Sequence, residues 1–150
     1  MLMKEMKMDI VYDGKDKILG RLASTVAKQL LLGKNVAVIN AEQCVISGDR
    51  KGIVAKYKVR ADIIEKANPE HSPYWPRRSD LLVKRVIRGM LPYHKKASGK
   101  AAYKRLRVYI GVPDSLKDAK PVVVETKNPR ELYVSHMTVS EVSKLLGYNK

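Results

Sequence analysis

The residues with the most evident chemistry are cations gathered in one stretch. Between residues 76 and 107 the chain carries eleven Lys or Arg and a single acid, Asp80. They are Arg77 and Arg78, then Lys84, Arg85 and Arg88, then Lys95, Lys96, Lys100, Lys104, Arg105 and Arg107. One carboxylate cannot neutralise so many, so a polyanion is the expected partner. Aromatic groups are interleaved, with Tyr74 and Trp75 just upstream and Tyr93, His94 and Tyr103 inside the stretch. Cations seek phosphates and flat rings stack on bases or riboses, so the combination points to nucleic acid. Tyr74 and Trp75 have a competing role in packing a proline-rich loop, which for Trp75 is the stronger expectation; Tyr93 and His94, between Pro92 and Lys95, are expected contacts. Gly89 and Gly99 would permit close approach of RNA, or else serve helix packing and a turn.

A helix has to orient these charges. Ser79 is placed to cap it and Pro92 to close it. With Leu82 at zero and about 100° per residue, Val83, Val86, Ile87 and Met90 fall within an arc of about 140°, while Lys84, Arg85 and Arg88 fall at about 200°, 300° and 240°. Burying the apolar arc presents three cations. Upstream, Pro69, Pro73 and Pro76 predict an extended loop without helix. Downstream, a basic segment from Lys95 to Lys100 leads to one or two helical turns over 101–105, then to a strand in which Leu106, Val108 and Ile110 alternate with Arg107 and Tyr109.

The rest of the chain reads as a scaffold. Ile10 to Tyr12 predicts a short strand, followed by a turn at Asp13-Gly14. Leu19, Leu22, Ala23, Val26 and Leu30 have helical spacing, with Gly33 where a C-terminal cap belongs. Val36 to Ile39 is an apolar run of the kind buried on both faces of a parallel sheet. Cys44 to Ile46 predicts a further strand. Ser47 or Asp49 caps a helix whose apolar face is Ile53, Tyr57, Ala61 and Ile64. Pro121 to Glu125 predicts a strand. Thr138 and Glu141 form a capping box for a last helix on Val139, Val142, Leu145 and Leu146, stopped by Gly147. Strands alternating with helices predict an α/β fold with a sheet covered on both sides.

The 150 residues are about one domain's length, and 30 basic against 15 acidic residues leave a net charge of +15. Residues 76–107 account for two thirds of that excess. The lone Cys44 excludes an internal disulfide and a CxxC zinc half-site, which suits a reducing cytosol. Charges at Lys4, Glu5, Lys7 and Asp9 interrupt the Met-rich start, so no signal peptide is expected. No apolar run approaches the length of a membrane span, and no membrane partner is expected.

Catalytic patterns are absent from the sequence. Gly14 and Gly20 flank a strand-to-helix turn where a phosphate could sit on backbone donors, but the pattern of a P-loop or of GxGxxG is missing. Turn glycines are the simpler reading, with Arg21 still free to touch a phosphate. His71, His94 and His136 lack metal-ligand spacing, and Cys44 lies in an apolar run suited to a buried thiol. Neither a cofactor nor a small-molecule substrate is expected. A small phosphate- or nucleotide-binding enzyme using the Gly14 to Arg21 turn is the runner-up, and a free-standing RNA regulator a third reading.

Three motifs in order, ILGRLAS at 18–24, VAVIN at 36–40 with ISG at 46–48, and RGMLP at 88–92 before a basic stretch, resemble the ribosomal protein L13 (uL13) family. The resemblance spans Ile10 to Gly147, and the NP pair at 68–69 with KAAYKRLR at 100–107 is similar to its archaeal and eukaryotic branch. The absence of a long C-terminal helical extension favours the archaeal type. One departure is Tyr93, where related sequences often place His; here His94 comes one position later. The resemblance implies one three-layer α/β/α domain over 1–150 with a mostly parallel sheet of about four strands, no enzymatic activity, and a cytoplasmic place in the large ribosomal subunit. It implies binding to large-subunit rRNA and neighbouring ribosomal proteins, support of subunit assembly, and an RNA-facing segment from Arg88 to Pro92 with its basic continuation.

Overall fold

The structure, a computed structural model, describes residues 8–124 and 134–148. Glu125 and the Met-rich start through Lys7 lie outside them. In chain order the elements are β1 (Ile10–Asp13), α1 (Leu19–Leu31), β2 (Val36–Ile39), β3 (Val45–Ser47), α2 (Arg50–Ala61), α3 (Ser79–Met90), α4 (Ala97–Lys104), β4 (Leu106–Val108), β5 (His136–Thr138) and α5 (Val139–Leu145).

All four residues of β2 are buried, as an apolar run without alternation requires. It lies at the centre of a parallel sheet in the order β1-β2-β4, with Ile10 opposite Val36 and Val36 opposite Leu106. Beyond β1, Val122 donates its N–H to the Val11 carbonyl at 2.7 Å and bridges Tyr12 in parallel. The fourth place across the sheet is therefore held by a bridge, and among the described residues Val123 is 70% exposed. β3 and β5 form a separate antiparallel pair with Val45 opposite Thr138. β5 has three residues, too few for a period to show in the sequence.

On one face of the parallel sheet, Leu22, Val26 and Leu30 of α1 and Val83 and Ile87 of α3 join Leu106 in a core sealed from solvent. On the other, Val11, Ala37 and Ile39 are covered by Met8, Tyr109, Leu116 and Ala119. That covering segment contains one 3-10 turn, Asp114–Leu116, so among the described residues the second covering layer is thin. The α/β class and parallel pairing match the sequence reading.

Several boundaries differ from it. Asp49, not Ser47, caps α2, accepting from the Gly52 N–H at 3.3 Å. α2, which packs on α5 and β5, stops at Ala61, leaving Ile64 68% exposed. The proline loop holds a 3-10 turn at Pro69–His71: Pro69 occupies its first position, where a missing N–H costs nothing, and Asn68 accepts from the Glu70 N–H. Ser79 is the first residue of α3 rather than its cap. Asp80 does that work, taking the Leu81 N–H at 2.8 Å while Arg78 grips both carboxylate oxygens at 2.8 and 2.7 Å. α4 begins at Ala97, earlier than the expected 101, and β4 ends at Val108 rather than Ile110. The Gly33 cap, at φ +92°, and the Thr138–Glu141 capping box both form.

Candidate nucleic-acid interface

α3 turns its apolar arc inward, burying Leu82, Val83 and Ile87, and its three cations emerge on the opposite side. Each is seated on an aromatic ring supplied by a different segment. Arg85 lies 3.9 Å over Trp75 of the proline loop, Arg88 lies 5.1 Å over Tyr93 after the helix, and Lys84 lies 5.1 Å over Tyr103 of α4. The rings hold the cations in place without neutralising them. Burial, then Arg88 with Arg60 nearby, lowers the Arg85 pKa, against a smaller opposing effect of Tyr103; burial and Arg107 lower that of Lys84. Among the described residues, the one carboxylate ion pair made by the eleven cations is Arg78–Asp80.

The remaining sequence-predicted residues divide by geometry. His94, Lys95, Lys96, Lys100 and Lys104 are exposed on α4 and the loop before it, Arg77 is exposed with its guanidinium beside Gly147 after α5, and Gly89 is exposed with open space where a side chain would be. Pro92 and Tyr93 are half-buried. Tyr93 meets His94 and Tyr103 edge-on at 5.1 and 5.3 Å and carries Arg88 on its face. It therefore positions a cation, and the free ring beside it is His94. Gly99 is buried, and any Cβ there would run into the Pro92 carbonyl, so it serves packing of α4 rather than RNA approach. Arg105 is drawn away from the surface by the Leu30 carbonyl, to which it donates at 2.8 Å. Arg21 stands exposed on the first turn of α1.

Two contributors, Arg60 and Lys56 of α2, escaped the sequence reading. Trp75 is flanked by a second guanidinium, Arg60 of α2, at 5.0 Å, and Arg60 also lies 5.9 Å from the Tyr57 ring. Arg85 is further fixed by donating to the Tyr74 carbonyl at 2.9 Å, while the Tyr74 ring, 80% exposed, does not pack on the core. Trp75, Arg60, Arg85 and Lys56 border a groove of about 430 Å³ whose floor is Leu19, Val45, Leu82 and Val86. The spacing of Lys56 and Arg60, one helical turn apart, was the available signal; the join to Trp75 depends on tertiary packing.

The Gly14 turn is no phosphate cradle. Its N–H donates to the Ile39 carbonyl at 2.9 Å, and a Cβ at Gly14 would come within 2.6 Å of the Cys44 sulfur. Protein fills the turn. Cys44 itself is buried, and that burial, with Glu42 and Asp13 nearby, pushes its pKa up to about 12, the reverse of an activated nucleophile. Among the described residues no cluster of His, Cys, Asp or Glu could hold a metal ion, and no helix is long and apolar enough to cross a membrane.

Fold and face together define a class: an α/β protein that carries a band of cations propped on aromatic rings. The chain belongs to the ribosomal protein L13 family, whose family model matches residues 7–115. It is 47% identical to the large ribosomal subunit protein uL13 of Methanosphaera stadtmanae, over 93% of this chain and 98% of that one. The uL13 of Methanosarcina barkeri is 45% identical, over 91% and 96% of the two chains. That of Haloarcula marismortui is 41% identical over 100% of this chain and 99% of its own. These relatives are archaeal, as the sequence features anticipated, and the family is a structural one without enzymatic activity.

Proposed function

We propose that the chain is a structural component of the large ribosomal subunit, in the cytoplasm, and that it binds large-subunit rRNA through α3, α4 and the loop between them while contacting neighbouring ribosomal proteins. The observation that carries the proposal is the set of three α3 cations, each held over a ring and none given a carboxylate. Phosphates supply the missing counter-charge. Binding is by charge neutralisation and shape, and it supports assembly of the subunit by fixing RNA segments against a rigid face.

The test is binding of a large-subunit rRNA fragment measured against salt. Each phosphate contact contributes about −0.7 to −0.9 to the log–log slope, so six contacts predict a steep decline over a modest rise in salt. A flat response rules the reading out. Crosslinking in assembled subunits from Arg88, Lys96 and Lys100 is expected to reach RNA, and capture of protein alone at all three positions reassigns the face.

A further inference from the structure

We propose that the groove between α1, α2 and α3 is a nucleotide subsite, which receives one unpaired base of single-stranded RNA on its aliphatic floor beside Trp75 and sets its phosphate against Arg60 and Arg85. This deepens the RNA-binding reading and rests on it, but adds a pocket on the far side of α3 from α4.

The size of the groove, about 430 Å³, lies within the range of about 300–1,000 Å³ typical of small-ligand clefts. Its composition is divided as a nucleotide is. The floor is aliphatic, which suits the face of a base, and the rim carries Lys56, Arg60 and Arg85 with no Asp or Glu among the lining residues. A polypeptide side chain would match the floor alone; the three rim cations favour a phosphodiester. Two of those cations are already positioned, Arg85 by Trp75 and the Tyr74 carbonyl and Arg60 by Trp75 and Tyr57. Burial and then Arg88 lower the Arg85 pKa, with Arg60 a smaller contributor, and an anion beside Arg60 and Arg85 relieves that repulsion. Gly20 and Gly89 both line the groove, and a Cβ at either would meet nothing within 4 Å, so the two helices offer open backbone to a flat ligand. Stacking and cation contacts of this kind need no particular base.

Trp75 is the chain's one tryptophan, so its fluorescence reports on the groove directly. The whole protein is titrated with a single-stranded oligoribonucleotide and with an abasic strand of equal charge, while fluorescence anisotropy of a label on the strand reports total binding. The proposal expects saturable change in Trp75 emission with the first strand and little with the second. Trp75→Leu and Arg85→Gln should each weaken oligonucleotide binding about tenfold, with circular dichroism verifying the fold; if Trp75→Leu misfolds, Arg85→Gln alone decides. Binding without any emission change overturns the subsite and leaves RNA binding intact, whereas no binding of RNA at all overturns both. Equal responses to the two strands reduce the groove to a phosphate contact and overturn its base slot. A benzophenone placed at Lys56 in assembled subunits should attach to RNA; attachment to protein alone assigns the groove to a polypeptide and overturns the proposal.

Discussion

Arg105 donates from Nη2 to the carbonyl of Leu30 at 2.8 Å, joining the start of β4 to the last turn of α1 across 75 positions of sequence. The guanidinium is a second donor to a carbonyl that also takes the Gly33 N–H at 3.1 Å, and it places a positive charge at the negative end of the helix dipole. Its place in a basic run disguises a role inside the fold.

Arg105→Gln should therefore cost stability, on the order of 1–2 kcal/mol, while leaving the salt dependence of RNA binding nearly unchanged. Lys100→Gln should do the reverse, lowering the salt slope by about 0.7–0.9 with little change in melting temperature. Paired denaturation and binding measurements separate the two, and an Arg105 variant that loses slope but not stability refutes the assignment.

The two glycines near Pro92 should respond oppositely to Ala. At Gly99 a methyl group has to displace the Pro92–Tyr93 backbone, which predicts a loss of about 1–3 kcal/mol in unfolding free energy. At Gly89, inside α3 with open space around it, Ala should be neutral or stabilising by up to about 1 kcal/mol. If the groove takes a base, the same Gly89→Ala variant should bind the oligonucleotide more weakly. Thermal melts read the first effect and titration the second.

How much of this was legible in the sequence depended on the range of the interactions. The α1 periodicity, the Gly33 cap and the Thr138–Glu141 box are local, and each formed as read. The tilt of Lys84, Arg85 and Arg88 away from the core followed from helical geometry alone. What the residues did not disclose were meetings across the fold: Trp75 with Arg60, Arg105 with Leu30, Gly99 with the Pro92 carbonyl. The first two join segments that only the assembled fold brings together, and the third depends on how tightly the chain turns from α3 into α4. Ser79 misled because a serine before an apolar run is a common cap, whereas a bidentate Arg78–Asp80 pair can replace one.

Stability should rise with ionic strength over the range where screening is effective. Ten of the eleven cations in residues 76–107 have no carboxylate ion pair among the described residues, so they repel one another in the free protein, and salt shortens the reach of that repulsion. Melting temperature should increase between about 0.05 and 0.3 M salt, and a polyanion such as heparin should raise it further. A melting temperature that falls with salt contradicts the repulsive picture.

Cys44 should be inert until the fold opens. Its thiol is buried with a pKa pushed up from 9.0 to about 12, so reaction with a disulfide reagent near pH 8 should proceed at the rate of global or local opening. The sign of the pH effect follows. A raised pKa in the folded state leaves its full stabilisation below pH 9.0 and removes it as pH climbs toward about 12. A Cys44→Ala variant should show a flatter decline in stability over that interval, and fast labelling in native conditions argues against the burial.

Synthesis order gives the β3–β5 pairing one more consequence. β5 and α5 are made after the cationic segment, yet Val139 belongs to the main core and the Val139 N–H donates to the Cys44 carbonyl at 2.9 Å. A growing chain thus exposes its whole cationic segment before the residues that complete its core have been added. For that interval the nascent protein is a loose polycation in a cell crowded with RNA, and its final thirteen described residues, 136 to 148, act as the closing stitch that ends the exposure.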